Sequence, residues 1–422
     1  MNAGTASPTV ATVSPRAVER VRSGHPWVLR DDVAVSPAAD GGDVVRVVDK
    51  RGTVLGSAIW SATSPIGLRM LGRGDGAPRA LDETLFEQRI AAAEARRRRD
   101  FGSSNSNSNS NSNSNSNSNS TSHGGSEIDA YRVVHGEADL LPGLFIDRYA
   151  DVAVIQTGCA AMDARKPLIA DVVKRLLGVR LVACRDDGSA REFEALPRTR
   201  GILDGHGSTT VGFHDAGSAM EADVLVDGKT GSFLDQQENH ARAALCARPG
   251  MRALDAFSYH GGFALALGRA GAEVTALDEN PAAVERLRAN ARRNGIEIDA
   301  RADNAFDLLR AFEADRRRFD LVVIDPPAFA KRRSALPAAE RAYKELNLRA
   351  LRLLVDGGIL VTCSCSGKMT PERFGQVVVE AARDAGRPVQ LLERRGAGRD
   401  HPTLVGVPET EYLKCWIARV LG

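Results

Sequence analysis

The pattern of apolar and polar residues changes near Leu254, where short apolar runs begin to alternate with longer segments of helical periodicity. The runs "RALDAF", "AEVTALDEN", "IDARADN", "FDLVVID" and "GGILVTCSCS" predict strands. The segment "PAAVERLRANARRNG" predicts a helix that starts at Pro281 and stops at Gly295. Two last runs, "PVQLLER" and "YLKCWIARV", predict a closing antiparallel pair. We therefore expect an α/β domain with a mostly parallel seven-stranded sheet covered by helices.

The first 78 residues have a different pattern, with several short β runs. "GDVVRVVDKRGTVLGSAIW" gives two runs broken at residues 49–52, and "IGLRML" gives another. Before them, Trp27 lies among several arginines. We expect a small β-barrel domain over residues 1–78. Its aromatic and basic residues fit RNA binding or simple packing, and the sequence alone leaves both open.

Residues 79–228 predict a central α+β domain. Helices are expected over 81–99 and 162–177, and β structure on both sides of "LLPG", over 179–185 and near 222–226. Residues 103–126 alternate Asn and Ser without an apolar side chain. Such a composition cannot offset the entropy of ordering, so we expect a disordered surface insertion. His135, Glu137 and Asp147 are expected at the surface or in turns.

Composition narrows the function classes. The chain has 422 residues, enough for two or three domains, and a net charge of +2 that neither demands nor excludes a polyanionic partner. Basic residues cluster at 96–99, 316–318 and 331–333, where phosphates could bind. Six cysteines without regular spacing predict reduced thiols and no metal site. Without a long apolar span or a signal segment, we expect a cytoplasmic protein with no membrane partner.

Acids and thiols occupy the predicted strand ends, which face the ligand crevice in a doubly wound sheet. Asp325-Pro326-Pro327 ends one strand, and Cys363 and Cys365 end the next. Asp278 can accept the hydroxyls of a ribose, and Asp303 can accept from an adenine amino group. The turn at Gly261 lacks the dinucleotide fingerprint, which disfavours a nicotinamide dehydrogenase.

From about Lys229 onward the sequence resembles a class I S-adenosylmethionine-dependent methyltransferase. The motifs "KTGSFLDQQEN", "DAFSYHGGFAL", "DPPAFAK", "CSCSG", "DHP" and "EYLKCW" are most similar to the bacterial family that makes 5-methylcytosine in 23S ribosomal RNA. The resemblance implies a PUA-like N-terminal barrel, a central α+β domain and a Rossmann-like methyltransferase domain over 229–422. It also implies S-adenosylmethionine as cofactor, and 23S rRNA or a large-subunit assembly intermediate as partner. A homodimer stays open.

The same resemblance assigns residues to the two halves of the site. The cofactor-binding set is Phe233, Asp235, Gln236, Asp255, Phe257, Ser258, Gly261, Asp278, Asp303 and Asp325. The substrate-binding set is Pro326, Pro327, Phe329 and Lys331. Phe329 is expected to stack on a flipped cytosine, because a base must leave its stack to react.

Cytosine carbon 5 is a poor nucleophile and needs activation by a thiolate that adds to carbon 6. Counted from Gly357, Cys365 matches the nucleophile of RNA 5-methylcytosine enzymes, while Cys363 lies two residues deeper. Asp325 is the expected acid that orients the ring. Ala328 departs from the pattern, because many such enzymes have a second cysteine there that assists product release.

Two alternatives remain at this stage. An acid followed by two prolines also serves methylation of an exocyclic amine, which needs no covalent step and would leave the cysteine idle. A non-catalytic RNA-binding assembly factor is the second alternative, and it would be favoured by an absence of S-adenosylmethionine binding.

Overall fold

The N-terminal domain consists of a six-stranded sheet and one helix. The computed structural model describes residues 9–35, 39–101, 128–330 and 332–422, so the predicted insertion at 103–126 and Lys331 lie outside the described residues. The strand order is β2-β6-β5-β4-β1-β3, with only β1 and β4 parallel in this described sheet. The elements are β1 (Val10–Val13), α1 (Pro15–Arg22), β2 (Trp27–Leu29), β3 (Val33–Val35), β4 (Val44–Val48), β5 (Val54–Trp60) and β6 (Ile66–Arg73).

The central domain is a five-stranded sheet with helices packed on it. The strand order is β11-β10-β9-β8-β7, and a separate hairpin of β12 and β13 follows. The elements are α2 (Glu83–Phe101), β7 (Ala130–His135), β8 (Leu144–Tyr149), β9 (Val152–Thr157), α3 (Ala160–Asp163), α4 (Lys166–Leu177), β10 (Leu181–Asp186), β11 (Thr199–Gly205), β12 (Thr210–Asp215) and β13 (Ser218–Asp223). The helix predicted over 162–177 is thus two helices.

The C-terminal domain contains the predicted seven-stranded sheet, in the order β16-β15-β14-β17-β18-β20-β19. Five strands are parallel, and β20 is antiparallel to both of its neighbours. The elements are α5 (Gln237–Ala244), β14 (Arg252–Ala256), α6 (Gly262–Arg269), β15 (Glu273–Asp278), α7 (Pro281–Arg293), β16 (Ile298–Ala302), α8 (Ala305–Ala314), β17 (Phe319–Ile324), α9 (Leu336–Leu353), β18 (Leu354–Ser364), α10 (Pro371–Ala385), β19 (Val389–Arg395) and β20 (Lys414–Val420).

The strand order positions the site. The chain runs outward from β14 to β15 and β16, then crosses back to β17 and continues to β18. The sheet order therefore reverses between β14 and β17, and a ligand crevice is expected at the carboxyl ends of these two strands. Apolar cores lie on both faces of the sheet, one of them around Leu267 and Val323 and the other around Leu254 and Leu351.

Trp27 and Arg69 join the N-terminal sheet to the central domain. Trp27 Nε1 donates to Glu137 Oε1 at 2.7 Å. Arg69 donates to Glu194 at 3.2 Å and pairs with Glu137 at 3.5 Å, and all three charged groups are buried. The aromatic and arginine cluster near Trp27 thus forms part of a domain interface, which favours the packing alternative for this tryptophan.

Three residues of the central domain that were expected at the surface or in turns are all buried: His135, Glu137 and Asp147. The surface position is therefore wrong, whereas Glu137 does lie in a turn, the short 3-10 helix over Gly136–Asp139. Asp147 accepts from Arg132 Nε at 2.7 Å and from Thr230 Oγ1 at 2.7 Å. Because their partners lie far away along the chain, local sequence patterns gave no sign of this burial.

Candidate active site

A cavity of about 240 Å³ lies at the carboxyl ends of β14, β15, β17 and β18. Many of the residues assigned to the site in the sequence contribute to its wall. These are Phe233, Asp235, Gln236, Phe257, Ser258, Asp278, Asp325, Pro326, Pro327 and Cys365. The segment before α5, the turn after β14 and the ends of β17 and β18 thus meet at one place.

The other described members of the predicted set lie beside the cavity. Asp255 is buried in β14, Gly261 precedes α6, and Asp303 is exposed after β16. Phe329 is half-buried, with ring centroids 5.0 Å from Tyr343 and 6.4 Å from Phe306. The roles of these four residues stay predictions.

The turn after β14 has an unusual backbone. Phe257 and Tyr259 have φ angles of 68° and 48°, in the left-handed region that non-glycine residues seldom adopt. Gly261, with a φ of 95°, leads into α6. A Cβ at Gly262 would lie 2.2 Å from His240 Cε1, so the helix start and His240 approach as closely as only glycine permits. Such strain concentrates at ligand sites, and it shapes one wall of this cavity.

Asp278 ends β15 and holds that turn in place. One of its carboxylate oxygens accepts from the Tyr259 amide and the other from the Asn280 amide, each at 2.9 Å. Each carboxylate oxygen has a second lone pair, so Asp278 can still accept from the hydroxyls of a ribose.

A charged cluster lies on the opposite side of the cavity. Lys229 Nζ is 2.7 Å from both carboxylate oxygens of Asp235, and Tyr412 donates its hydroxyl to Asp235 at 2.6 Å. Burial alone would raise the pKa of Asp235, but the charge and hydrogen bond of Lys229, together with other groups such as the Tyr412 hydroxyl, outweigh burial and hold that pKa well below its usual range. Lys229 also lies 4.3 Å from the centroid of the Phe233 ring. Asp235 is therefore an anion with a fixed orientation.

Asp325 follows β17 and is oriented by a chain of amides. Gln236 Nε2 donates to Asp325 at 2.9 Å, and Asn239 Nδ2 donates to Gln236 at 2.7 Å. Burial, and then the negative charge of Asp235, raise the pKa of Asp325 to about 6. This carboxyl group can thus carry a proton near neutral pH.

Cys365 and Cys363 differ in their surroundings. Cys363 is fully buried within β18, opposite Cys415 of β20. Cys365 lies beyond the strand end, half-buried in the cavity wall, with Sγ 3.9 Å from the carbonyl oxygen of Pro326. Burial, and then Asp325, raise the pKa of the Cys365 thiol to about 11. At neutral pH the predicted nucleophile is therefore a neutral thiol and not a thiolate.

A buried hydroxyl network ties the Cys365 segment to the loop after Asp325. Tyr343 of α9 contacts Ser364 Oγ at 3.0 Å and Ser366 Oγ at 3.1 Å. The Ala330 amide donates to Ser366 Oγ at 3.1 Å. The two strand ends that supply Asp325 and Cys365 are thereby linked directly.

Sequence reasoning missed several residues around the site. Lys229, His240, Tyr259 and Tyr412 were not singled out, although three of them lie within motifs that were recognised. The sequence signal that could have found them is their position. Lys229 and His240 lie on either side of Phe233, Tyr259 follows Ser258, and Tyr412 belongs to the "EYLKCW" motif.

The residues of the cavity fit S-adenosylmethionine. Ser258 Oγ is buried and has no hydrogen-bond partner among the described residues, so it is available to a ligand. Asp278 offers acceptors for ribose hydroxyls, and the rings of Phe233 and Phe257 offer apolar surface for a base or a thioether. Acidic groups such as Asp235 suit a cationic sulfonium and an α-amino group.

A metal centre or a membrane-spanning helix would each indicate another class of protein. Within the described residues, no group of three or more His, Cys, Asp or Glu side chains is arranged to hold a metal ion. Of the helices that the structure describes, none is both long enough and apolar enough to cross a membrane.

Comparisons with known proteins identify two domain families in this chain. A family model described as S-adenosylmethionine-dependent methyltransferase matches residues 176–413, and one described as PUA-like domain matches residues 11–73. A methyltransferase structure from Streptococcus mutans, 17% identical, shares the fold with a TM-score of 0.78 over 97% of this chain and 100% of its own.

Two relatives named ribosomal RNA large subunit methyltransferase I extend the match along nearly the whole chain. The protein from Erwinia tasmaniensis is 32% identical, covering 94% of this chain and 96% of its own. The protein from Shewanella denitrificans is 34% identical, covering 96% and 97%. The chain therefore belongs to the S-adenosylmethionine-dependent methyltransferase family, and within it to the group that includes these large subunit methyltransferases.

Proposed function

We propose that this protein transfers a methyl group from S-adenosylmethionine to carbon 5 of a cytosine in large-subunit ribosomal RNA. The observation that carries the proposal is that Asp325 and Cys365, at the ends of neighbouring strands, line one cavity with the cofactor residues. The names of the relatives support ribosomal RNA as the substrate. The substrate is 23S rRNA, free or in an assembling large subunit.

Bound S-adenosylmethionine supplies an electrophilic methyl group on a sulfonium. Asp278 accepts from the ribose, and Ser258 offers its free hydroxyl. Phe233 and Phe257 bury the apolar parts, and the fixed anion of Asp235 favours a cation close by.

The chain's own residues activate the base. Cys365 loses its proton to water, and its Sγ forms a bond to carbon 6 of the cytosine, which places electron density on carbon 5. The protonated carboxyl of Asp325 donates to N3 and relieves the charge on the ring, a task for which its raised pKa is suited. Carbon 5 takes the methyl group, with the neutral thioether of S-adenosylhomocysteine as the leaving group, and then loses its proton to water. The carbon 5–carbon 6 double bond re-forms, and Cys365 leaves as a thiolate.

One observation favours a second candidate, methylation of an exocyclic amine. Because the pKa of Cys365 is raised to about 11, this residue is a thiol and not a nucleophilic thiolate at neutral pH. Asp325 and the Pro326 carbonyl could instead accept hydrogen bonds from an amino group. In that reaction Cys365 would be idle.

The test is methyl transfer to 23S rRNA from cells that lack this enzyme, followed by nucleoside analysis. We expect 5-methylcytosine from the wild type, a loss of at least about a thousandfold in Cys365→Ala, and near-normal product from Cys363→Ala as the matched control. A methylated exocyclic amine that persists in Cys365→Ala would establish the second candidate instead.

A further inference from the structure

Lys414 is a buried lysine next to the Cys365 segment. It is the first residue of β20 and lies directly opposite Ser364 of β18. The residue is only 2% exposed. Its Nζ donates to the carbonyl oxygens of Ser366 and Tyr412, each at 2.8 Å. Since Ser366 directly follows Cys365, the ammonium is fixed beside the backbone that carries the thiol.

The charge of Lys414 has no matched anion in the part of the chain that the structure describes. Other buried cations there have carboxylate partners: Arg97 pairs with Asp139 at 2.6 Å and Arg132 pairs with Asp147 at 2.7 Å. Two neutral carbonyl oxygens do not repay the cost of burying an ammonium. Burial accordingly lowers the pKa of Lys414 to about 8, and Cys365 is the first of the groups that counteract this.

The Cys365 thiol has other charged and titratable groups around it, on several elements. Asp325 after β17 and Asp235 before α5 are acids that oppose its ionisation. Lys229 favours ionisation, but its ammonium is already shared by both carboxylate oxygens of Asp235. From α9, Tyr343 contributes a neutral hydroxyl, because burial raises its pKa to about 12. Lys414 is the other neighbouring cation: among the described residues no carboxylate lies within ion-pair distance of it, and Glu411, three residues earlier in the chain, only adds to the charges that favour its protonated form.

We propose that Lys414 is the buried counter-charge of the Cys365 thiolate, a positioning residue that makes the nucleophile available. The inference rests on the proposed role of Cys365. On ionisation the thiol proton leaves to water through the cavity and Lys414 keeps its own proton, so one buried ion pair replaces one uncompensated ammonium.

The test measures alkylation of Cys365 by iodoacetamide as a function of pH, followed by mass spectrometry of the Cys365 peptide, without cofactor or RNA. At pH 7 we expect Lys414→Met to slow alkylation about tenfold, the effect of one pKa unit, and Lys414→Arg to recover part of the rate. Above about pH 8 the wild-type rate flattens as Lys414 loses its proton, while the Lys414→Met rate keeps rising. The matched control is Lys368→Met, an exposed lysine three residues after Cys365.

A second measurement covers the case in which Lys414→Met does not fold. With ¹³C-labelled lysine, NMR titration of the wild type and of Cys365→Asp, whose carboxylate stands in for the thiolate, should show that the aspartate variant raises the pKa of Lys414. Equal alkylation profiles for wild type and a folded Lys414→Met, or an unchanged lysine titration in Cys365→Asp, would overturn the proposal. Neither readout involves methyl transfer, so failure of the cytosine chemistry would be seen separately.

Discussion

Burial raises the pKa of two neighbouring carboxyl groups, Asp255 in β14 and Asp325, which directly follows β17. Asp325 keeps a hydrogen bond from Gln236, and its pKa rises to about 6. Asp255 is 1% exposed, and neither of its carboxylate oxygens has a hydrogen-bond partner among the described residues. Burial raises its pKa to about 7. Asp255 is therefore close to half-protonated at neutral pH.

The state of Asp255 makes stability depend on pH. Because its folded pKa lies above the unfolded value, the folded state binds the extra proton between about pH 4 and 7, and stability falls as pH rises through this window. Asp255→Asn mimics the protonated form and removes the dependence. We compare the free energy of unfolding of Asp255→Asn with that of the wild type at each pH. The difference, variant minus wild type, should be about 2–3 kcal/mol larger at pH 8 than at pH 5. Urea unfolding at both pH values measures it, and a constant difference would contradict the account.

Gly262 tests the close approach of α6 to His240. His240 Nδ1 is 2.9 Å from Asp215, so the ring cannot easily move away from a new Cβ. We expect Gly262→Ala to weaken S-adenosylmethionine binding by at least about tenfold, measured by calorimetry, because the helix start must shift. The control is Gly188→Ala, where a Cβ meets nothing within 4 Å. Equal affinities for the two variants would show that the cavity does not depend on this contact.

At the scale of elements, α9 holds the segment that carries Cys365. The Tyr343 hydroxyl contacts Ser364 and Ser366 in a buried network. Tyr343→Phe removes both contacts and leaves the two serine hydroxyls only their backbone amide partners, so we expect a loss of about 1–2 kcal/mol in stability and a slower methyl transfer. The surface tie between α9 and α10, Arg373 to Glu340, is the control, and Arg373→Ala should cost at most about 1 kcal/mol. Thermal unfolding measures the stability loss of each variant, and an activity assay measures its rate of methyl transfer.

Most strands and helices of the C-terminal domain could be predicted, because their apolar periodicity is local. The closing pair of β19 and β20 and the helix that starts at Pro281 are confirmed. The helix α8 (Ala305–Ala314) was missed. Only Asp303 and Asn304 separate it from β16, so the change from a strand to a helical period has little sequence to show itself.

The site was predictable as far as its residues occur in recognisable motifs. Cys365 was distinguished from Cys363 by its depth in the strand, and the two thiols do have different surroundings. The charged partners Lys229, Tyr412 and Lys414 were not assigned roles, because their significance depends on contacts between distant segments. The raised pKa of Cys365 was also beyond the sequence, since it arises from burial beside Asp325.

At the scale of the whole molecule, the three sheets are joined by buried polar contacts. The Arg132 amide donates to the Asp400 carboxylate at 2.9 Å, and the Arg97 guanidinium donates to the Asp400 carbonyl oxygen at 3.2 Å. These two contacts link the central domain to the loop that carries Asp400, which lies near Asp235. The hairpin of β12 and β13 shares one apolar core with α6 and α7. The boundaries at 78/79 and 228/229, and RNA docking by the N-terminal domain, stay predictions.

Arg69 is the test of the joint between the first two domains. Arg69→Met leaves Glu137 and Glu194 buried without their cation, and we expect a loss of about 3–5 kcal/mol in the free energy of unfolding. The pair of the exposed Arg16 with the half-buried Asp32 is the control, and Arg16→Met should cost at most about 1 kcal/mol. Denaturant unfolding compares them, and similar losses would mean that the joint does not contribute to global stability.

The most direct measurement of the central claim uses RNA in which the target cytosine is replaced by 5-fluorocytosine. Fluorine cannot leave as a proton does, so a cysteine that adds to carbon 6 stays bonded after methyl transfer. With S-adenosylmethionine present, the account predicts a protein–RNA adduct that survives denaturant, forms with Cys363→Ala and is absent with Cys365→Ala. Methylation of ordinary RNA without any trapped adduct would contradict it.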